Sequence, residues 1–489
     1  MTVAFTPAGI SADDLVAIAR HGAPVTLHAS AIDAINRGRA VIDALADSDV
    51  PVYGVSTGFG ALATVAIPAD KRADLQRAIV RSHAAGMGDP VEVEVVRGLM
   101  ALRLKTLASG RTGIRLETAQ AIVDLLNNHI TPVVPEFGSL GCSGDLAPLA
   151  HCALVLMGEG EAWVAGDQVP AAVALARHGL SPVTLAEKEG LALLNGTEGM
   201  LAMLLLALAD LDHTLTTADV VAAMSVEALR GTDAAFAPEL HAPIRKHPGQ
   251  ALSAAVMWAC MADSQIVKSH AEDTSQVQDA YSLRCAPQVT GAVRDVTDSA
   301  RVTAERELDS LIDNPIVMDD GSVRSNGNFH GAPLAYAADF LAIALADLAS
   351  ISERRTDRML DPARDYGLPA FLAGDAGVDS GLMIAQYTQA GIVAEMKRDA
   401  SPASVDSIPS SAMQEDHVSM GWNAARKLRR SVINLQRVIG IELMTSARAL
   451  DLRAPHAPGP VAAAVVAKVR ESVPGVGTDR YLSPEMNAA

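Results

Sequence analysis

The residues best placed by type and spacing to do chemistry sit on glycine-rich turns. One such stretch reads Gly138-Ser139-Leu140-Gly141-Cys142-Ser143-Gly144-Asp145-Leu146-Ala147-Pro148-Leu149-Ala150-His151. Its first half is a flexible turn. Its second half predicts a helix start, with Pro148 in the first turn and Asp145 as the cap. A helix N-terminus offers free backbone N–H groups and the positive end of a dipole. By residue type alone the stretch is an anion or oxyanion site, or only a turn. Three further turns have the same character: Tyr53-Gly54-Val55-Ser56-Thr57-Gly58-Phe59-Gly60, Asn195-Gly196-Thr197 and Asn326-Gly327-Asn328-Phe329-His330-Gly331. Each alone reads as a helix-to-helix turn, but loops held by rigid helices are where catalytic groups usually sit.

The 138–149 stretch closely resembles the Gly-Ser-x-x-Ala-Ser-Gly-Asp-Leu-x-Pro-Leu signature of the aromatic amino acid ammonia-lyase and aminomutase family. The resemblance extends over nearly the whole chain. It implies that Cys142, Ser143 and Gly144 cyclise, with loss of water, into an electrophilic 4-methylidene-imidazol-5-one group, so that no external cofactor is needed. The chain carries neither GxxxxGK[ST] nor a strand-linked GxGxxG, which agrees with that expectation. The residue types suit the chemistry. Gly144 has no Cβ, so its nitrogen can approach the carbonyl of residue 142. Ser143 supplies the hydroxyl that leaves. Residue 142 gives the ring only backbone atoms, so Cys142, the one departure from the signature, is expected to be tolerated.

Further site residues are implied by the same resemblance. Tyr53 matches the tyrosine that removes the β-proton, a phenol whose reference pKa of about 10 must be lowered for that task. Asn195, Gln278, Tyr281 and Arg284 match residues around the prosthetic group and substrate. Arg284 would clamp the substrate carboxylate, because a guanidinium fork pairs bidentately with it. Phe329 would supply an apolar wall. His83 and Glu415 resemble the versions of their motifs that select an imidazole, with Glu415 the more discriminating. A buried imidazole needs hydrogen-bonding partners, since each unpaired polar group costs about 1–3 kcal/mol. The implied reaction is L-histidine to trans-urocanate and ammonia. Lyases of tyrosine or phenylalanine and 2,3-aminomutases remain as alternatives, and a non-catalytic helical scaffold is the alternative of another class.

The elements that must position these residues are helices. Val96, Met100, Leu104 and Leu107 recur at helical spacing, as do Leu116, Ala119, Val123 and Leu126. His83 closes an amphipathic stretch that begins near Ala69. Residues 331–361 hold one proline, Pro333, at the start, and residues 410–454 hold none. A helix of 30 residues there would run about 45 Å, which predicts a bundle of long helices. Residues 158–169 predict a short hairpin with Gly166-Asp167 near the turn. The expected class is therefore all-α: a mixed N-terminal region, 1–195, carrying the prosthetic-group loop, and a long-helix bundle over 196–489. The resemblance adds a homotetramer whose active sites draw on several chains.

Composition narrows the function. Of 489 residues 49% are hydrophobic but only 3% aromatic, so the core must be built from small aliphatic side chains. A net charge of −18 repels phosphate backbones and anionic membranes, which excludes nucleic-acid binding. The four cysteines do not form a disulfide framework, and the spacing of Cys142, His151 and Cys152 matches no zinc pattern, so no metal is expected. No basic region followed by an apolar run opens the chain, and the apolar run 199–209 is too short to span a bilayer. A cytoplasmic enzyme acting on a small molecule is expected.

Overall fold

Apolar stretches without internal proline form the long helices of this protein. The computed structural model describes residues 2–46, 57, 67–273 and 277–489. They divide into two compact units: Met1–Leu206 with Arg301–Ala338 and Pro402–Arg426, and Ala207–Ala300 with Asp339–Ser401 and Lys427–Ala489. A linear division at 195/196 does not describe the two returns of the chain to the first unit. The helices Glu198–Ala228, Ala286–Asp309, Ala332–Leu360 and Gly421–Asp451 each contribute residues to both.

The architecture is all-α, with short strands confined to the first unit among the described residues. The two periodic segments form the helices Val93–Ala108 and Leu116–Asn127. Residues 95–108 of the former are all buried, Arg97, Arg103 and Lys105 included. Those charges are inside because neighbouring helix ends need donors. The Arg97 guanidinium donates to the Ile18 and Leu126 carbonyl oxygens at 3.0–3.2 Å, near the ends of Ala12–His21 and Leu116–Asn127. The predicted hairpin is present: Glu161–Val164 pairs antiparallel with Asp167–Pro170. Its two-residue turn is Ala165-Gly166, with φ +51° and +92°, as the twist of a tight hairpin requires.

In the second unit the core draws on Met224, Leu229, Met257, Met359, Leu372 and Met444, with Phe236 its one fully buried aromatic ring among the described residues. Three long helices meet there at a buried ion pair. Arg355 donates to both Glu442 oxygens at 2.5 and 2.8 Å, and the Ser225 and Ser352 hydroxyls donate to the same carboxylate at 2.6 and 2.5 Å. Both charged side chains are 1% exposed. Two helices, Glu198–Ala228 and Ala332–Leu360, are long and apolar enough to cross a membrane by length and composition. Of their most apolar windows, 72% and 56% are buried within the protein, as in core helices.

The proline-free stretch 410–454 is helical only from Gly421. Residues before it bend through a left-handed turn at Ser411, Ala412 and Met413, with φ between +49° and +70°. Absence of proline permits a helix but does not impose one, and here the irregular backbone carries Glu415.

The buried ion pair gives a stability prediction. Arg355→Ala leaves the Glu442 carboxylate buried without its countercharge. It is expected to cost on the order of 3–5 kcal/mol, read as a lower midpoint of urea unfolding. An unchanged midpoint would contradict it.

Candidate active site

The loop 138–145 is held by contacts that only glycines allow. Gly144 has φ +74°, and a Cβ on it would lie 2.0 Å from the Gly196 carbonyl oxygen. Gly144 forms an isolated bridge with Gly196, and the Asp145 N–H donates to the Gly196 oxygen at 2.7 Å. Gly141, at φ +67°, accepts from the Ser419 hydroxyl at 2.7 Å and the Gly331 N–H at 3.1 Å. The Met420 N–H donates to Leu140 at 2.9 Å. The three glycine-bearing segments that hold residues 141 and 144, 196, and 331 are thus drawn to one place in the first unit.

Asp145 is the residue that fastens the loop. It precedes the helix Leu146–Leu156, as expected, but its side chain makes no capping bond to that helix. Its carboxylate instead accepts from the Gly199 and Met200 N–H groups, both at 2.9 Å, which caps the helix Glu198–Ala228. The other oxygen accepts from the Ser139 hydroxyl at 2.9 Å. Burial pushes its pKa up to about 7, against the bonds from Met200, Ser139 and Gly199 that favour ionisation.

A cavity of about 430 Å³ opens over this loop. Cys142, Ser143, Asn314, Phe329, Glu415 and His417 are among its walls. Glu415 accepts from the Ser143 hydroxyl at 2.9 Å and from the Cys142 thiol at 3.1 Å, and Ser410 donates to it at 3.1 Å. Burial opposes its ionisation. Bonds from Cys142, Ser143, Ser410 and Ser411 outweigh that and hold its carboxyl below the usual range. The Cys142 thiol is pushed up to about 12 by burial first, then by the charge and hydrogen bond of Glu415, so it stays protonated. A larger cavity, about 660 Å³ and lined by Arg115, Asp124 and Thr184, holds none of the expected site residues.

Among the expected residues, Cys142, Ser143, Phe329 and Glu415 line the cavity together. Asn195 is buried one residue from the Gly144 contact, and its amide donates at 3.3 Å to the carbonyl of Asn314, a wall residue. His83 ends the helix Arg72–His83, half-buried, with Nδ1 at 2.9 Å from the Ile79 oxygen, and is not among the cavity walls. Gln278, Tyr281 and Arg284 belong to the second unit and contact one another: Arg284 donates to Gln278 at 2.8 Å and lies 4.7 Å over the Tyr281 ring. Tyr53 lies outside the described residues.

Several wall residues escaped the sequence reading. The His330 and His417 rings stack at 5.6 Å, and Asn314 orients Asn195; Ser410, behind the wall, orients Glu415. His330 and His417 sit inside motifs already singled out, so their adjacency to Phe329 and Glu415 was the available signal. His151 accepts from the Gly86 N–H at 3.1 Å, which ties the turn after His83 to the helix Leu146–Leu156, and burial lowers its pKa towards the neutral acceptor form.

Cys142, Ser143 and Gly144 fit the requirements of an imidazolone-forming tripeptide. The third residue must be glycine on steric grounds, and the second presents its hydroxyl to an ionised carboxylate at a cavity wall.

Known proteins are similar to this chain over its whole length. A model of the family described as aromatic amino acid lyase matches residues 10–471. The histidine ammonia-lyase of Streptomyces avermitilis is 62% identical over 490 residues, covering all of this chain and 96% of the relative. Among solved structures, the histidine ammonia-lyase from Trypanosoma cruzi is 39% identical with TM-score 0.91, over all of this chain and 92% of that one. A tyrosine aminomutase from Streptomyces globisporus is 36% identical with TM-score 0.93, over all of this chain and 96% of that one.

Asp145 predicts a pH effect. Its carboxyl is raised to about 7 when folded, so between the ordinary range near 4 and 7 the folded chain keeps a proton that the unfolded chain has lost. Stability from this group therefore falls as pH rises through that window. Asp145→Asn is expected to flatten the decline in unfolding free energy between about pH 4 and 7, and an unaltered slope would refute it.

Proposed function

We propose that this chain, which belongs to the aromatic amino acid lyase family, eliminates ammonia from L-histidine to give trans-urocanate, the first step of histidine degradation. The observation that carries this reading is the Glu415 carboxylate, held ionised on the wall of a cavity beside Ser143 and Phe329. An imidazole N–H is a donor that such an acceptor suits. A phenyl ring would offer the carboxylate no donor, which disfavours phenylalanine by roughly the 1.5–3 kcal/mol that a hydrogen bond to a charged group is worth. The likeness to histidine ammonia-lyases at up to 62% identity supports the same substrate.

The difficulty of the reaction is that the β-proton of an α-amino acid is barely acidic and its amine a poor leaving group. A methylidene-imidazolone formed from Cys142, Ser143 and Gly144 supplies the electrophile that relieves this. The chain's own residues do the rest. Glu415 holds the imidazole, with His83 as the second selecting residue, and Phe329 bounds the ring on an apolar side. Arg284, its fork aligned by Gln278 and the Asp279 carbonyl, offers paired N–H donors to the substrate carboxylate. Asn195 and Tyr281 hydrogen-bond around the amine and the prosthetic group. Tyr53 takes the β-proton.

The assembly proposed is a cytoplasmic homotetramer whose sites draw on several chains. Exposed Phe340, Ile343, Ile384 and Tyr387 support an assembly, since apolar side chains of that size gain about 1.5–3 kcal/mol each on burial. Tyr281, 70% exposed beside Arg284, supports a site completed on association.

Two measurements test this reading. The intact mass of the purified chain should be lower than the sequence mass by two waters, and that of Ser143→Ala should not. Offered L-histidine, L-tyrosine and L-phenylalanine in parallel, the protein should raise the ultraviolet absorbance of an arylacrylate from L-histidine alone. Glu415→Gln is expected to lose roughly 10- to 100-fold in kcat/KM, the worth of a hydrogen bond to a charged group. Turnover of tyrosine, or β-amino acid products as from an aminomutase, would overturn the substrate. An unaltered mass with no turnover would overturn the enzyme.

A further inference from the structure

The cysteine within the prosthetic-group tripeptide has more to do than fill space. Cys142 is 8% exposed, and its thiol is directed at Glu415. The donors on Glu415 are unevenly divided. Cys142 and Ser410 both bind Oε2, each at 3.1 Å, while Ser143 binds Oε1 at 2.9 Å. Ring formation changes that division. One water takes the carbonyl oxygen of residue 142 with hydrogens from the Gly144 and Ser143 nitrogens. The other takes the Ser143 hydroxyl with its Cα hydrogen. Maturation therefore removes the donor on Oε1 and leaves the thiol, a side-chain substituent of the ring, in place.

We propose that Cys142 is a positioning residue: its thiol holds Oε2 of Glu415 against the prosthetic loop and leaves Oε1 to the imidazole of the substrate. The proposal rests on the reading of Glu415 as the imidazole's acceptor. A thiol is a weak donor, but a charged acceptor strengthens the bond it makes. An alanine here takes the thiol from Oε2 and leaves Ser410 on it, a looser tether for a side chain on an irregular loop. The titratable groups that line the same cavity, among the described residues, are Cys142, His330, Asp416 and His417.

The test compares wild type, Cys142→Ala and Cys142→Ser, each first checked by intact mass for the loss of two waters. Equilibrium binding of trans-urocanate and the steady-state kinetics of L-histidine are then measured across pH. Cys142→Ala is expected to weaken urocanate binding and raise KM roughly three- to tenfold, with a smaller change in kcat. The acid limb of kcat/KM should move to higher pH, because a carboxylate that loses a donor is easier to protonate. Cys142→Ser should restore both. A readout independent of substrate is alkylation of Cys142 by iodoacetamide, followed by mass. In Glu415→Gln the thiol should react at lower pH than in wild type, because the neighbouring negative charge is gone. Wild-type turnover of L-histidine with an unchanged Cys142→Ala would overturn the proposal. Silence of wild type towards L-histidine and urocanate would overturn the substrate reading instead. In that case, or where the Cys142 variants do not mature, the alkylation comparison decides the contact, and identical pH dependence in the two proteins refutes it.

Discussion

Burying a carboxylate is costly unless its oxygens find donors, and Asp145 supplies both of its oxygens with donors by joining two helices. It stands at the start of Leu146–Leu156, while its oxygens take the free N–H groups of Gly199 and Met200 and the hydroxyl of Ser139. The chain between Ser139 and Asp145 is thereby pinned at both ends by one side chain. Gly144 then lies against Gly196 closely enough that no Cβ can be tolerated. The loop geometry, the NGT turn and the placing of Cys142, Ser143 and Gly144 all depend on this junction.

A second layer of buried charge backs the same turn. Arg103 donates to the Asn195 carbonyl at 2.5 Å, to Glu198 at 2.9 Å and to Ile312 at 3.1 Å. Lys188 and Asp313 pair at 2.7 Å, both almost wholly buried. Charges so enclosed add little net stability compared with apolar side chains of equal size, but they fix geometry, because each alternative arrangement leaves an ion unpaired. The NGT turn is held by a network of this kind and not by apolar contact alone. The cost falls on a core with few aromatic rings, whose strength comes from long helices closely set through small side chains.

The cavity chemistry follows from where donors converge. Glu415 sits on irregular backbone, where its carboxylate meets the tripeptide and Ser410 at once. Those donors outweigh burial and lower its carboxyl, while burial first and then its charge raise the neighbouring thiol. An anion beside a neutral thiol, an apolar ring and two stacked imidazoles make a wall suited to a flat, hydrogen-bonding heterocycle.

Much of this was legible in the residues. Period 3.6 located the helices from Val93 and Leu116, Pro333 marked the start of another, and the hairpin near Gly166 was recoverable because turn residues must satisfy local φ. Contiguous motifs marked the tripeptide, Asn195, Phe329 and Glu415 for the same local reason: each needs a particular residue type at a particular place on a turn. The sequence by itself therefore determined the all-α class and the family. Tertiary structure alone decided that Asp145 caps a helix through Gly199, 54 residues away, that residues 414–420 are not helical, and that Cys142 and Ser143 share one carboxylate 273 and 272 residues distant. Local pattern records what a backbone can do. Which distant donor meets a given acceptor depends on the balance of burial and hydrogen bonding in the whole fold, and no short-range spacing encodes that.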